Sequence, residues 1–162
     1  METEANGIEL VTNLFRKLIG TKPTRINLGH GSFLTFDFGR DIEEKIKTRS
    51  GGFKIIHFGE WILWVYMCAW RIDKNDKPFI GSNDSRDFIE QNLRSLEDKE
   101  LRKVIVLNEA FDATLIFGDE YKLHLFSFQV TDDEQWKLFT PEHKTFIAGP
   151  GCTWSYRDSD KA

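Results

Sequence analysis

The chain has 162 residues, 40% apolar and 30% charged, which suits one folded domain or two fused half-domains and excludes a disordered chain. Its 26 acidic and 22 basic residues leave a net charge of −4, without the basic surplus of a general nucleic-acid binder. Aromatic residues make up 14%, with 14 Phe, five Trp and three Tyr, a share that favours sheets packed with large side chains.

The first predicted helix runs from Ile8 to Ile19. Leu10, Val11, Leu14, Phe15, Leu18 and Ile19 recur at helical spacing, and Gly20 stands at the C-terminal end. Thr24–Leu28 alternates as a short strand, Gly29-His30-Gly31-Ser32 is a turn, and Phe33–Phe38 is a strand ended by Gly39. Arg40–Gly52 is charged and reads as an exposed hairpin arm or loop. Phe53–Phe58 is a further strand. Trp61–Ile72 is the strongest strand of the chain. It carries Leu63, Val65, Met67 and Ala69 on one face and Ile62, Trp64, Tyr66, Cys68 and Trp70 on the other, so cover is expected on both sides. Asp73–Pro78 is a turn. Asn83, Asp84 or Ser85 then caps a second helix to Leu96, with Phe88, Ile89, Leu93 and Leu96 inward. Strands follow at Lys103–Phe111, Ala113–Phe117, Tyr121–Val130, Trp136–Phe139, Thr145–Ile147 and Thr153–Tyr156. Gly149-Pro150-Gly151 breaks the chain before the last of these, and residues 158–162 are expected to fray.

The two halves match. At a shift of 79 residues Leu14 meets Leu93, Ile26 meets Ile105, Leu28 meets Leu107, Phe38 meets Phe117 and Gly39 meets Gly118. The third strand aligns at a shift of 60, Trp61 onto Tyr121 and Leu63 onto Leu123, so the first copy holds 19 extra residues in and after the charged arm. The expected fold is α+β in a single domain, 1–162. Two helix-plus-antiparallel-β-meander repeats, about 8–82 and 83–139, are joined by C-terminal strands in 140–157. They form a sandwich or partly open barrel with two flanking helices.

Chemistry-bearing motifs are sparse. His30, His57, His124 and His143 lack metal-ligand spacing, and no phosphate-binding glycine loop is present, so no metal and no cofactor are expected. Ser32, His30 and Asp37 would make a hydrolytic set, but residues of one tight turn rarely face one another as a triad, and no catalytic residue is assigned. Cys68 reads as a small buried hydrophobe, and Cys68 and Cys152 make no disulfide framework. Acidic residues gather after the second helix (Glu97, Asp98, Glu100) and at two hairpin tips, Asp119 with Glu120 and Asp132 with Asp133. These are solvated turns or an acidic face for a basic partner. Trp64, Tyr66 and Trp70 share one face of the predicted strand. They are either core or the lining of a binding site. Arg71 beside them is placed to pair with a carboxylate such as Asp84.

Four segments carry a family resemblance: Leu18-Ile19-Gly20; Gly29-His30-Gly31-Ser32 with Phe33-Leu34-Thr35-Phe36; Trp70-Arg71-Ile72 with Ser82-x-Asp84; and Trp136-x-Leu138. Through them the sequence resembles small bacterial proteins related to immunity proteins of contact-dependent and polymorphic toxin systems. The resemblance implies a small cytoplasmic binding protein that neutralises a toxin, and it brings no catalytic residues.

The leading expectation is a non-enzymatic binding protein of this immunity type, meeting a basic toxin domain through acidic and aromatic surface. The alternative is a small-molecule binding domain with an aromatic pocket between the two sheets, and the third is a hydrolase centred on the His30 turn. No signal peptide is read at the N-terminus, and no apolar run reaches the ~20 residues of a membrane span. The expected location is the cytoplasm, with no membrane and no nucleic-acid partner. A homodimer through an exposed strand edge is compatible with open sheets.

Overall fold

The computed structural model describes residues 6–159, and the acidic opening Met1–Glu4 and the end of the tail, 160–162, lie outside them. The first helix, α1 (Gly7–Arg16), begins where Asn6 caps it. The Asn6 Oδ1 accepts from the Ile8 amide at 3.0 Å and the Glu9 amide at 3.4 Å, satisfying donors that a helix start leaves free. Val11, Leu14 and Phe15 are buried from this helix, and Leu18 follows in the turn behind it. The second helix, α2 (Arg86–Leu93), runs into a single 3₁₀ turn (Arg94–Leu96), and Ser85 caps it through the Phe88 amide at 3.4 Å. Ile89, Leu93 and Leu96 face the core as expected. Phe88 does not, and stays 42% exposed.

Eleven strands complete the described residues. They are β1 (Pro23–Leu28), β2 (Leu34–Lys47), β3 (Phe53–Val65), β4 (Ala69–Lys74), β5 (Lys77–Gly81), β6 (Leu101–Val106), β7 (Ala113–Phe117), β8 (Tyr121–Phe126), β9 (Trp136–Phe139), β10 (Lys144–Ala148) and β11 (Trp154–Asp158). They form two antiparallel sheets, one in the order β1-β2-β3-β9-β10-β11 and the other β5-β4-β8-β7-β6. The fold is therefore α+β with two helices and two antiparallel sheets, and it does not close into a barrel: each sheet ends in two edge strands. Asp158 belongs to β11 and does not fray. One apolar core joins residues of both sheets and both helices. Phe36 of β2 stacks on Phe117 of β7 with ring centroids 5.7 Å apart, and both are fully buried.

The run Trp61–Ile72 is two strands, not one. β3 ends at Val65, the chain turns through Tyr66-Met67-Cys68, and β4 begins in the other sheet. Burial alternates as Trp61, Leu63, Val65 and then resumes as Cys68, Trp70, Ile72. The crossing thus shifts the inward phase by one residue. A strand's faces alternate strictly, so Trp64 and Trp70, predicted on one face, end on opposite sides of their sheets.

Gly39 does not end its strand. It sits at φ +78 inside β2, where the ladder skips from Phe38↔Trp61 to Asp41↔Gly59, a bulge of the kind that re-aims a strand. β2 and β3 then continue as a two-stranded ribbon to the turn Thr48–Gly52. Gly59 on the partner strand has no room for a side chain. A Cβ there would stand 2.8 Å from the Phe38 amide nitrogen and carbonyl oxygen and 2.9 Å from the Asp37 Cβ. Gly59→Ala should therefore cost about 1–3 kcal/mol, the usual penalty of overpacking a tight site. A urea-unfolding midpoint equal to the parent's would show instead that the bulge yields freely.

Two registers in the halves agree. β2 pairs with β3 as Phe36↔Leu63 and Phe38↔Trp61, and β7 pairs with β8 as Leu115↔Leu123 and Phe117↔Tyr121. The first strands of the meanders differ from the sequence alignment by one residue. Ile26 lies opposite Phe36, but Val104, not Ile105, lies opposite Leu115. Val104 and Val106 accordingly pack on the core, while Leu107 is 59% exposed. The turn expected over Asp73–Pro78 is confined to Asn75-Asp76: Asp73 and Lys74 close β4, and Lys77 and Pro78 open the short edge strand β5.

Candidate functional site

The outer side of the six-stranded sheet carries the feature most suited to binding. Phe33 stands at the end of the turn between β1 and β2, and Trp64 and Tyr66 stand at the end of β3. All three are half-buried. Their rings meet edge to face or tilted: Phe33 to Tyr66 at 4.6 Å, Trp64 to Tyr66 at 5.1 Å and Phe33 to Trp64 at 6.5 Å between centroids. His30, exposed, adds an edge contact to Phe33 at 6.2 Å. From β9, in register with Trp64, Lys137 lays its Nζ 5.4 Å from the centre of the indole, a cation on a π face.

The cluster is held from behind. Trp70 is only 3% exposed, and its Nε1 donates to the Ser32 carbonyl at 2.7 Å. Arg86 at the start of α2 donates to the carbonyls of Gly29 (2.8 Å) and Leu28 (3.0 Å). The turn that carries His30 and Phe33 is therefore pinned by a core tryptophan and a helix arginine. Trp64 and Tyr66 face out and Trp70 faces in, so these three rings do not line a common pocket between the sheets.

Other predicted residues are placed elsewhere. His30, Ser32 and Asp37 share no hydrogen bond among the described residues. Asp37 turns instead to Arg25 (3.1 Å) and the Gly59 amide (3.2 Å), and burial still pushes its carboxyl above the usual carboxylate range. Arg25 also reaches Asp41 at 3.3 Å, and His57 meets Asp41 at 2.7 Å, so these side chains staple the bulge from outside. Arg71 does not pair with Asp84, which accepts from the Gly81 amide at 2.7 Å. It grips Asp73 through Nε (2.7 Å) and a terminal nitrogen (3.1 Å). The acidic tips do not form one face. Asp119 and Glu120 precede β8 while Asp132 and Asp133 follow it, so a strand of six residues, about 20 Å, separates them. Glu120 is also paired with Lys99 at 3.0 Å and Asp119 with Arg102 at 3.8 Å.

A second polar set lies on the outer side of the five-stranded sheet. Asp73 Oδ2 meets His124 Nε2 at 3.0 Å, and His124 Nδ1 meets the Thr114 hydroxyl at 3.0 Å. The order hydroxyl–imidazole–carboxylate has the form of a nucleophile, base and orienter. Yet Thr114 and His124 sit on interior strands whose backbone amides serve the ladders to their neighbours, so those amides are not available to hold an oxyanion. The set orders a sheet surface. The Arg71 hydrogen bonds hold the Asp73 carboxyl below the usual carboxylate range. Its stabilisation is full above the unfolded carboxylate pKa, about 3.9, and is lost as pH falls through the lower folded value. Asp73→Asn should thus be less stable than the parent at neutral pH, and the gap should narrow as pH falls through the carboxylate range in a pH series of thermal melts.

Cys68 is buried, and burial, with Asp112 adding to it, pushes its thiol up to about 12. Cys152 is exposed. A thiol reagent at pH 8 should label one cysteine in the native chain and two after unfolding. Two labelled in the native state would contradict the burial of Cys68.

Sequence reasoning picked Trp64, Tyr66 and His30 but missed Phe33 and Lys137. Phe33 was counted only as a strand residue, and Lys137 lies on a strand that reaches Trp64 solely through sheet order. Among the described residues no helix is long and apolar enough to cross a membrane. No family model matches the chain, and no curated protein and no solved structure matches it.

Proposed function

We propose that this protein is a non-enzymatic binding protein of the immunity type, acting in the cytoplasm and neutralising a toxin by direct contact through the Phe33–Trp64–Tyr66 face. The observation that carries the reading is a pinned, half-exposed aromatic cluster on an outer sheet surface. Rigid aromatic side chains give up little conformational freedom on docking and rank high among interface hot spots. The net charge of −4 favours capture of a basic toxin domain. In this reading the chain is one domain, two diverged helix-plus-meander copies arranged as a sandwich, with the docking face on the copy that keeps the arm.

The test is co-expression with the toxin encoded beside the gene, scored as rescue of growth and as capture of the toxin on the immobilised protein. Rescue by the parent chain and its loss in the double variant Trp64→Ala/Tyr66→Ala support the reading. Rescue that survives the double variant would move the docking site elsewhere, and neither rescue nor capture by the parent would retire the function.

A further inference from the structure

Among the described residues no third strand pairs with the ribbon beyond the bulge, and only the Arg25 side chain reaches its base. β1 stops pairing with β2 at Phe38, and β9 stops pairing with β3 at Ile62, so residues 40–59 project as two strands alone. Seven paired rungs, from Asp41↔Gly59 to Lys47↔Phe53, reach about 20 Å past the sheet. An isolated two-stranded ribbon is marginal in water, and this one exposes Phe53 (64%) and Ile55 (58%).

Its charges are sorted along its length. After the bulge residue Arg40, the base carries Asp41, Glu43 and Glu44, while the outer half carries Lys45, Lys47, Lys54 and, in the turn, Arg49. Glu43, Lys45 and Lys47 form no ion pair with the described residues. Strand alternation puts Asp41, Glu43, Lys45 and Lys47 on one face together with Ile55 and Phe53. An acid-to-base gradient on an apolar ribbon is self-complementary when reversed.

We propose that this ribbon is a dimerisation arm whose partner is the same ribbon of a second copy, laid antiparallel and face to face. A two-fold axis across the arm at the level of Glu44 sets β2 over β2 and β3 over β3. Glu43 then faces the partner's Lys45, while Asp41, already paired with Arg25 and His57 of its own chain, faces the partner's Lys47, and each contact occurs twice, as an isologous interface requires. Ile55 is covered by the His57 of the other copy. The dimer uses a surface separate from the aromatic cluster, so it does not rest on the proposed function.

Sedimentation equilibrium of the full chain between about 1 and 200 μM, with two charge reversals, tests it. The parent should be a dimer that weakens at 0.5 M salt. Glu43→Lys or Lys45→Glu alone sets like charges against each other at two places and should raise the dissociation constant at least tenfold. The double variant Glu43→Lys/Lys45→Glu, and an equimolar mixture of the two single variants, should both return to within about threefold of the parent. Both positions are exposed, and circular dichroism checks that each variant is folded. A parent that stays monomeric overturns the proposal, as does a dimer indifferent to either reversal or a mixture no tighter than its components.

Discussion

Trp136→Ala should cost about 3–5 kcal/mol, the range for truncating a large buried aromatic, and leave a chain with little margin against unfolding at 37 °C. Trp136 has no exposed surface and touches three other rings, Phe15 at 5.9 Å, Phe111 at 6.3 Å and Phe146 at 5.7 Å between centroids. Those rings belong to α1, to the loop before β7 and to β10, so one indole joins a helix, its own sheet and the loop that enters the other. Its Nε1 also donates to the Phe111 carbonyl at 3.0 Å. Trp136→Phe keeps most of the ring volume but strands that carbonyl, which costs about 1–3 kcal/mol when buried. Chemical denaturation of the three proteins should rank them parent, Trp136→Phe, Trp136→Ala. A domain of this size has only about 5–15 kcal/mol in hand. An alanine variant within 1 kcal/mol of the parent would mean that the four rings do not form a common packing unit.

Trp64→Ala and Tyr66→Ala should behave in the opposite way. Each ring is half-buried on the outer surface, so unfolding should shift little, while affinity for the proposed toxin partner should fall about 30-fold per substitution, the ~2 kcal/mol that defines a hot spot. Phe126→Ala is the matched control. Phe126 is 60% exposed but lies in β8 of the other sheet, and its loss should leave toxin capture unchanged. Titration calorimetry or surface capture with the purified toxin domain separates the cases. Equal losses at Trp64 and Phe126 would indicate general stickiness and not a defined face.

Most elements were legible in the sequence because their apolar periods are strong. The helix stripe through Val11, Leu14 and Phe15 and the strand Ala113–Phe117 fall where spacing puts them, while β2 runs past Phe38 to Lys47. The crossing at Tyr66–Cys68 was not legible. A chain that leaves one sheet and enters another over the same core stays apolar throughout, and no Gly or Pro marks the place. That single missed phase change put Trp64 and Trp70 on one side. The candidate site was half legible for a related reason. Exposed large aromatics in a strand invite attention, but Phe33 and Lys137 join them only through turn geometry and the β3–β9 register, which no local pattern encodes. Arg71 was read toward Asp84, whereas on one strand face its neighbour two residues along, Asp73, lies nearer.

The helices have a consequence of their own. α1 packs on β6, and α2 packs on β1, so each helix lies against the opening strand of the other meander. The exchange is reinforced by main-chain bonds, Gly20 to the Leu101 carbonyl and Leu101 to the Thr21 carbonyl, both 2.8 Å. A chain severed between β5 and α2 would thus yield two fragments, each bearing a helix that fits only its counterpart. Neither would stand alone, yet the pair is built for reassembly. The whole chain must therefore close its most distant contacts before either half gains its cover, which makes for one cooperative and comparatively slow folding step.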